Sequence, residues 1–273
     1  MTWTLSIILA FLFAASFLLG MKLGRRGRKT ALVGVLISLP LFLLCAAFWF
    51  WPSAGYALAR LGPWGRLYPW WITFFAFVLL GIASSPVMPR MPRIAFITIS
   101  ICYSCAVLFQ LSGAHCWDTA RLPGKSGRDG LCFQSNGWTC GPAAGVTLLA
   151  QLRIPTTEAE MAQLCGTQPW LGTSEVMLAL AVREKASFAG YEVAVIRSNW
   201  QDLGIRRMPV IAEVMLPHFT FHYTVILAVD DKQVTLADPL RGNICLSREE
   251  FMAEWMKTLV TVESGDGGEG KKL

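Results

Sequence analysis

The stretch HYTVILAVDDKQVTLADP, His222 to Pro239, holds two runs of apolar and β-branched residues around a polar Asp230-Asp231-Lys232 turn. Such runs fit a pleated surface, and a short polar turn between them folds them into an antiparallel hairpin. Pairing in that sense returns the end of the second strand to the start of the first, so Asp238 comes back beside His222. A histidine with a carboxylate on one ring nitrogen keeps the other free for a third group.

Outward from the hairpin, strand-type patterning recurs at Tyr191–Arg197 and Val210–Met215, and Leu259–Val262 is expected to close the sheet. The segment before these strands reads as helices. Gly141–Leu152 has Pro142 in its first turn, Thr157 with Glu160 opens a short helix, and Thr173 or Ser174 opens Glu175–Lys185. Ser247 with Glu250 caps a last helix, Arg248–Met256. Helices first and antiparallel strands after them describe an α+β domain.

The first 112 residues are of another kind. They hold nine of the 24 Lys and Arg residues and none of the 18 acidic ones. Apolar runs near 5–20, 31–51, 70–87 and 94–111 are charge-free, and each approaches the ~20 residues that a membrane-crossing helix needs. Four membrane helices are therefore expected, with Trp49, Trp51, Tyr68, Trp70 and Trp71 at their interfacial ends. The first run is followed, not preceded, by cations (Lys22, Arg25, Arg26, Arg28, Lys29), the reverse of a signal peptide. That group marks the cytoplasmic side, as do Arg90 and Arg93, which puts the chain outside after the fourth helix; Arg60 and Arg66 lie in the opposing loop. The cations sit between apolar runs and form no single patch, so no nucleic-acid partner is expected. Residues 113–130 read as a polar linker, 131–263 as the folded domain and 264–273 as a disordered tail.

Upstream of the hairpin, QSNGWTCGPAA, Gln134 to Ala144, sets Cys140 at the start of the Pro142 helix. A helix amino terminus stabilises a thiolate, and a thiolate is the nucleophilic form of cysteine. The chain has three histidines as candidate bases: His115 at the junction of the halves, His218, and His222. Asp238 can orient His222, and Gln134 can offer an amide donor to an oxyanion beside the Cys140 N–H.

Together CFQSNGWTCGPAA, GTSEVMLAL and HYTVILAVDDKQVTLADPLRG resemble the peptidase domain of bacteriocin-processing ABC transporters, the double-glycine leader peptidases, over roughly Leu131–Trp255. The resemblance implies a papain-like cysteine peptidase with Cys140 as nucleophile, His222 as general base and acid, Asp238 orienting it, and Gln134 at the oxyanion. HYTV matches the family's histidine run better than the HFTF at His218. It implies neither cofactor nor metal, and a leader or precursor peptide cut after small residues such as glycine. Two departures stand out. The transporters carry six membrane helices and an ATPase, whereas this chain has four expected spans and no P-loop, and charge bias puts its domain on the extracytoplasmic side of a bacterial membrane.

Cys45, Cys102 and Cys105 lie in apolar spans and read as small hydrophobes. Apart from Cys140, the second half holds Cys116, Cys132, Cys165 and Cys245, an even number that fits two disulfides in an oxidising compartment. Three pairings are open, of which Cys116–Cys132 with Cys165–Cys245 keeps the first local. The reading is a membrane-anchored thiol protease acting through a thioester, with the lipid bilayer and a secretion or transport protein as further partners. Two alternatives share the same domain: a transpeptidase that passes the acyl group to an amine, and a non-catalytic peptide-binding module of a secretion system.

Overall fold

The computed structural model describes residues 3–62, 68–116, 119 and 122–264. The expected tail beyond residue 264, Arg66, and the side chains of Trp49, Tyr68, His115 and Cys116 lie outside the described residues. The chain forms two units, residues 1–116 and 117–273.

In the first unit, α1 (Trp3–Arg25) and α2 (Arg28–Phe50) are separated by a break at Gly27, whose φ of 116° a residue with a Cβ rarely adopts. The cationic cluster therefore sits at a sharp reversal. A short helix, α3 (Pro52–Arg60), starts on Pro52 and was not expected from the sequence. Then come α4 (Tyr68–Ala83) and α5 (Arg90–Cys116). Among the described residues, three helices are long and apolar enough to cross a membrane, through Ser6–Arg25, Arg28–Phe48 and Arg90–Phe109. The expected count of four needs correction, because α4 has 16 residues and a rise of about 24 Å against a hydrocarbon core of about 30 Å. It stops before the expected residue 87 because Pro86 disfavours helical backbone at Ser85, whose hydroxyl instead donates to the Ile82 carbonyl at 2.7 Å.

Helix α4 packs along α1 in the same direction. Phe13 stacks on Trp70 and Phe77, with centroids 6.0 and 5.7 Å away. Further along both helices the backbones touch at Gly20 and Gly81, where an added Cβ would lie 2.1 Å from the Val78 carbonyl oxygen or 2.2 Å from that of Phe17. Small residues at a crossing allow this approach, and backbone packing of this kind replaces the hydrophobic drive that lipid removes. On the other side α5 runs antiparallel to α4, with Tyr103 Oη donating to Thr73 Oγ1 (3.3 Å) and Ser84 near Ser100.

The second unit opens with a two-stranded ribbon, β1 (Lys125–Ser126) and β2 (Cys132–Phe133), followed by helices α6 (Cys140–Gln151), α7 (Glu158–Cys165) and α8 (Glu175–Ala186). The caps read from sequence are formed: Thr157 accepts from the Glu160 N–H and Ser174 from the Met177 N–H. The remaining elements are β3 (Tyr191–Arg197), α9 (Trp200–Gly204), β4 (Val210–Leu216), β5 (Thr220–Val229), β6 (Gln233–Asp238), β7 (Gly242–Ser247), α10 (Arg248–Glu254) and β8 (Trp255–Ser264). Ser247 and Glu250 make a reciprocal capping box at the start of α10.

The antiparallel sheet has the order β3-β8-β4-β5-β6-β7. The segment Leu259–Val262, expected to close the sheet, lies in β8, which fills the gap between β3 and β4. Strand β7 was not among the expected strands, although Ile244 and Leu246 of GNICLS alternate with exposed residues and pack partly on the core; it forms where the chain turns back after Asp238. One face of the sheet packs Val210, Ala212, Val214, Ile226, Leu236 and Leu259 against Phe251 and Trp255. Helices α6, α7 and α8 pack together, and α6 lies against β5. The strand that carries His222 is thus held next to the helix that begins with Cys140.

Candidate active site

Cys140 is the first residue of α6 and is buried. The preceding loop is tied into a turn: the Thr139 N–H donates to the Asn136 carbonyl (3.2 Å), and the Asn136 N–H donates to Thr139 Oγ1 (3.0 Å). Thr139 occupies the N-cap position, yet its hydroxyl is engaged with Asn136 and no side chain caps α6. The first backbone N–H groups of the helix are left to a ligand, which is where an anion is best held. Gly141 keeps this end narrow, because a Cβ there would sit 3.0 Å from Thr173 Cβ.

His222, on β5, is 3% exposed, and Asp238, at the end of β6, is fully buried. The expected hairpin forms, with Ile226 opposite Leu236, and an irregularity beyond Ile226 adjusts the register toward the turn. Across it, His222 Nε2 donates to Asp238 Oδ1 at 3.0 Å. The Cys140 side chain lies close enough to His222 to interact with its ring. With Nε2 occupied by Asp238, the ring nitrogen left for the sulfur is Nδ1. Burial works against the imidazolium, but the interactions with Asp238 and Cys140 outweigh it and raise the His222 pKa to about 9. Burial would also raise the Asp238 carboxyl; its bond to His222, the imidazolium charge and two backbone N–H donors instead bring it down to about 2.

The other candidates separate clearly. His218 lies exposed in the turn Pro217–Phe219 with φ 63°, away from the buried Cys140–His222–Asp238 line. The Gln134 backbone N–H donates to the Pro239 carbonyl at 3.0 Å, which fixes this residue beside the turn that follows Asp238. Its side-chain Nε2 donates to the Asn136 carbonyl at 3.0 Å, and its buried Oε1 has no partner. One N–H of the amide is therefore engaged within the loop, and the second remains.

Neither expected disulfide is present in this structure: Cys132, Cys165 and Cys245 are free thiols, and the Cys116 side chain lies outside the described residues. The three described thiols sit in different elements. Cys132 is buried in β2 and Cys165 at the end of α7, whereas Cys245 is exposed on the edge strand β7. Burial, reinforced by the nearby Glu158, pushes the Cys132 thiol up to about 12, and burial alone raises Cys165 further.

Residues 130–267 match the model of the peptidase C39 family. This chain belongs to the peptidase C39 family. An uncharacterized protein of Methanothermobacter marburgensis is 39% identical over 137 residues, covering half of this chain and 90% of that protein. The lactococcin-G-processing and transport ATP-binding protein LagD of Lactococcus lactis is 26% identical over 133 residues, which is 48% of this chain and 18% of LagD. Among solved structures, the peptidase domain of Streptococcus ComA, a bi-functional ABC transporter of a quorum-sensing pathway, has 22% identity and a TM-score of 0.43, covering 48% of this chain and 94% of that domain. The second unit is accordingly a C39 cysteine peptidase domain, a peptide-bond hydrolase.

Three features of this C39 domain had no sequence signal. Glu158, 1% exposed, accepts from the Ser135 N–H at 2.8 Å and from its hydroxyl, anchoring the loop that carries Gln134. Arg241 Nε donates to Asp238 Oδ2 at 3.0 Å while its two terminal nitrogens fork onto Glu254, at 3.2 and 3.0 Å. Glu213, on β4, is held near Glu175, and burial together with that second carboxylate raises it to about 7. None of these contacts is local in sequence except Asp238 to Arg241, so no spacing rule reveals them.

Proposed function

We propose that the chain is a membrane-anchored peptidase in which Cys140 is the nucleophile, His222 the acid and base, Asp238 the group that orients His222, and Gln134 an oxyanion donor. One observation carries this reading: Cys140, on an uncapped helix terminus, lies beside a histidine whose Nε2 donates to a buried aspartate. An adjacent imidazolium and the helix terminus both stabilise a thiolate. The sulfur attacks the peptide carbonyl carbon, and the negative oxygen that develops is met by the Cys140 N–H and the remaining Gln134 amide N–H. His222 then gives its proton to the departing amine, leaving a thioester. A water molecule gives a proton to the now neutral His222 as its oxygen attacks the thioester carbon. Collapse releases the new carboxylic acid and regenerates the imidazolium–thiolate pair.

The substrate we propose is a leader or precursor peptide cut after small residues, because the Cys140 end is narrowed by Thr173 against Gly141. The domain is assigned to the extracytoplasmic side. Support comes from the cations flanking Gly27 and from Arg90 and Arg93 at the start of α5, which mark the same side, so that α2 and α5 both run outward. The test uses purified full-length protein in detergent and a fluorogenic peptide amide ending in Gly-Gly. Cleavage should yield the free Gly-Gly acid by mass and should vanish in Cys140→Ala; equal cleavage by that variant overturns the assignment.

A further inference from the structure

We infer that Arg241 and Glu254 form a positioning pair that sets how strongly Asp238 holds His222, and so fixes the alkaline end of the range in which Cys140 and His222 act together. The inference rests on the catalytic reading of Cys140 and His222 given above. Asp238 is shared by two cations. Its Oδ1 accepts from His222 Nε2 (3.0 Å) and from the backbone N–H groups of Leu240 (2.8 Å) and Arg241 (2.9 Å), while its Oδ2 accepts from Arg241 Nε (3.0 Å). Arg241 has a second counter-ion, Glu254, the last residue of α10, held through a two-pronged fork. The groups facing His222 are thus Cys140 from α6 and Asp238 from β6. Behind Asp238 stand Arg241, in the turn before β7, and Glu254.

Opposite signs follow for the two members of the pair. Arg241 draws on the same carboxylate that stabilises the imidazolium, so removing its charge leaves Asp238 wholly to His222, which then stays protonated to higher pH. Glu254 neutralises Arg241, so removing the Glu254 charge makes Arg241 the stronger competitor and His222 loses its proton earlier. Because the Arg241 and Glu254 side chains are 28% and 25% exposed, solvent screens the effect to a shift of about 0.5–1 pH unit each. A scaffold role alone would move both variants in one direction or leave the pH range in place.

The probe is the full-length protein in detergent, with the alkylation rate of Cys140 by iodoacetate and by iodoacetamide followed by mass spectrometry of its peptide from about pH 5 to about pH 10.5. The anionic reagent is drawn by the imidazolium and the neutral one is not, so the fall in their rate ratio with rising pH reports loss of the His222 proton. Arg241→Gln should move that fall upward, Glu254→Gln downward, and the double variant should return close to the parent. Shifts in the same direction, or none, overturn the inference. Should Arg241→Gln fail to fold, Glu254→Gln alone decides, because a downward shift is required. His222→Gln separates the two levels. If it leaves the ratio profile intact, the catalytic reading itself fails; if it abolishes the fall while the charge variants leave the parent's fall in place, only the Arg241–Glu254 inference fails.

Discussion

Asp238→Asn changes one charge at nearly constant volume, and the structure fixes how the new amide must sit. At Oδ1 three N–H groups converge, two of them from the backbone of Leu240 and Arg241. An asparagine that turned its NH2 group there would face three donors. It therefore keeps its oxygen in that position and still accepts from His222 Nε2, so the histidine tautomer survives. Its NH2 group falls where Oδ2 stood, against Arg241 Nε, donor facing donor. What His222 loses is the charge of its partner. A hydrogen bond to a charged group is worth about 1.5–3 kcal/mol and a neutral one about 1 kcal/mol, so the difference is roughly 0.5–2 kcal/mol. At 1.36 kcal/mol per pH unit that is a fall of roughly 0.4–1.5 units from about 9. The alkaline limb of kcat/KM for the Gly-Gly amide should therefore drop to about pH 7.5–8.6, with a loss at the optimum of about 10–100-fold. This is smaller than the ~10⁴-fold that a reversed tautomer costs. An alkaline limb still near that of the parent would refute the reasoning, because Asp238 would then contribute no charge to His222.

Gln134→Ala should lower kcat by roughly 10²–10³-fold with little change in KM, as expected of a donor used only when the oxyanion develops; a change confined to KM counts against that role. Folding stability should decline toward alkaline pH. His222 is raised to about 9 from an ordinary 6.5, so its contribution is complete below about pH 6.5 and gone above about pH 9, and thermal unfolding of His222→Gln should show a flatter alkaline slope. At the acid end the Asp238 contribution, present above its ordinary 3.8, is lost as pH falls through about 2. In the first unit, Gly81→Leu places a side chain against the Phe17 carbonyl, so α1 and α4 must part; a loss of at least about 1–3 kcal/mol should appear as a lower thermal midpoint in detergent, and an unchanged midpoint would show that the two backbones do not touch.

What was legible in the sequence was what is encoded locally. The hairpin from His222 to Asp238 is written in two runs and a turn, and the helix caps at Thr157, Ser174 and Ser247 are each set by residues three apart. Elements that depend on distant partners were not legible. Strand β8 is central only because β3 and β4 both pair with it, and nothing within its own ten residues says so. Strand β7 is a consequence of the turn that Asp238 ties down. The disulfides were inferred from an even count, and counting carries no information about which layer each cysteine occupies. The expected run to Val87 was longer than α4 for a local reason: Ser84 and Ser85 interrupt the apolar residues and Pro86 disfavours helical backbone before it, so the helix ends at Ala83.

The same division holds inside the site. Cys140, His222 and Asp238 each belong to a recognisable local pattern, yet their alignment depends on the contact between two layers. Helix α6 meets β5, and the Gln134 N–H bonds the Pro239 carbonyl, so the loop before the cysteine is pinned to the turn after the aspartate. Through that backbone bond the Cys140 end and the Asp238 end of the line move together. Arg241 extends the line to α10, whose Phe251 stacks on Trp255 with centroids 5.4 Å apart in the core of the sheet. The line from Cys140 to Asp238 is therefore fixed from both ends. A substitution in that aromatic pair, far from any bond to substrate, should reach His222 through Glu254 and Arg241 before it disturbs Cys140.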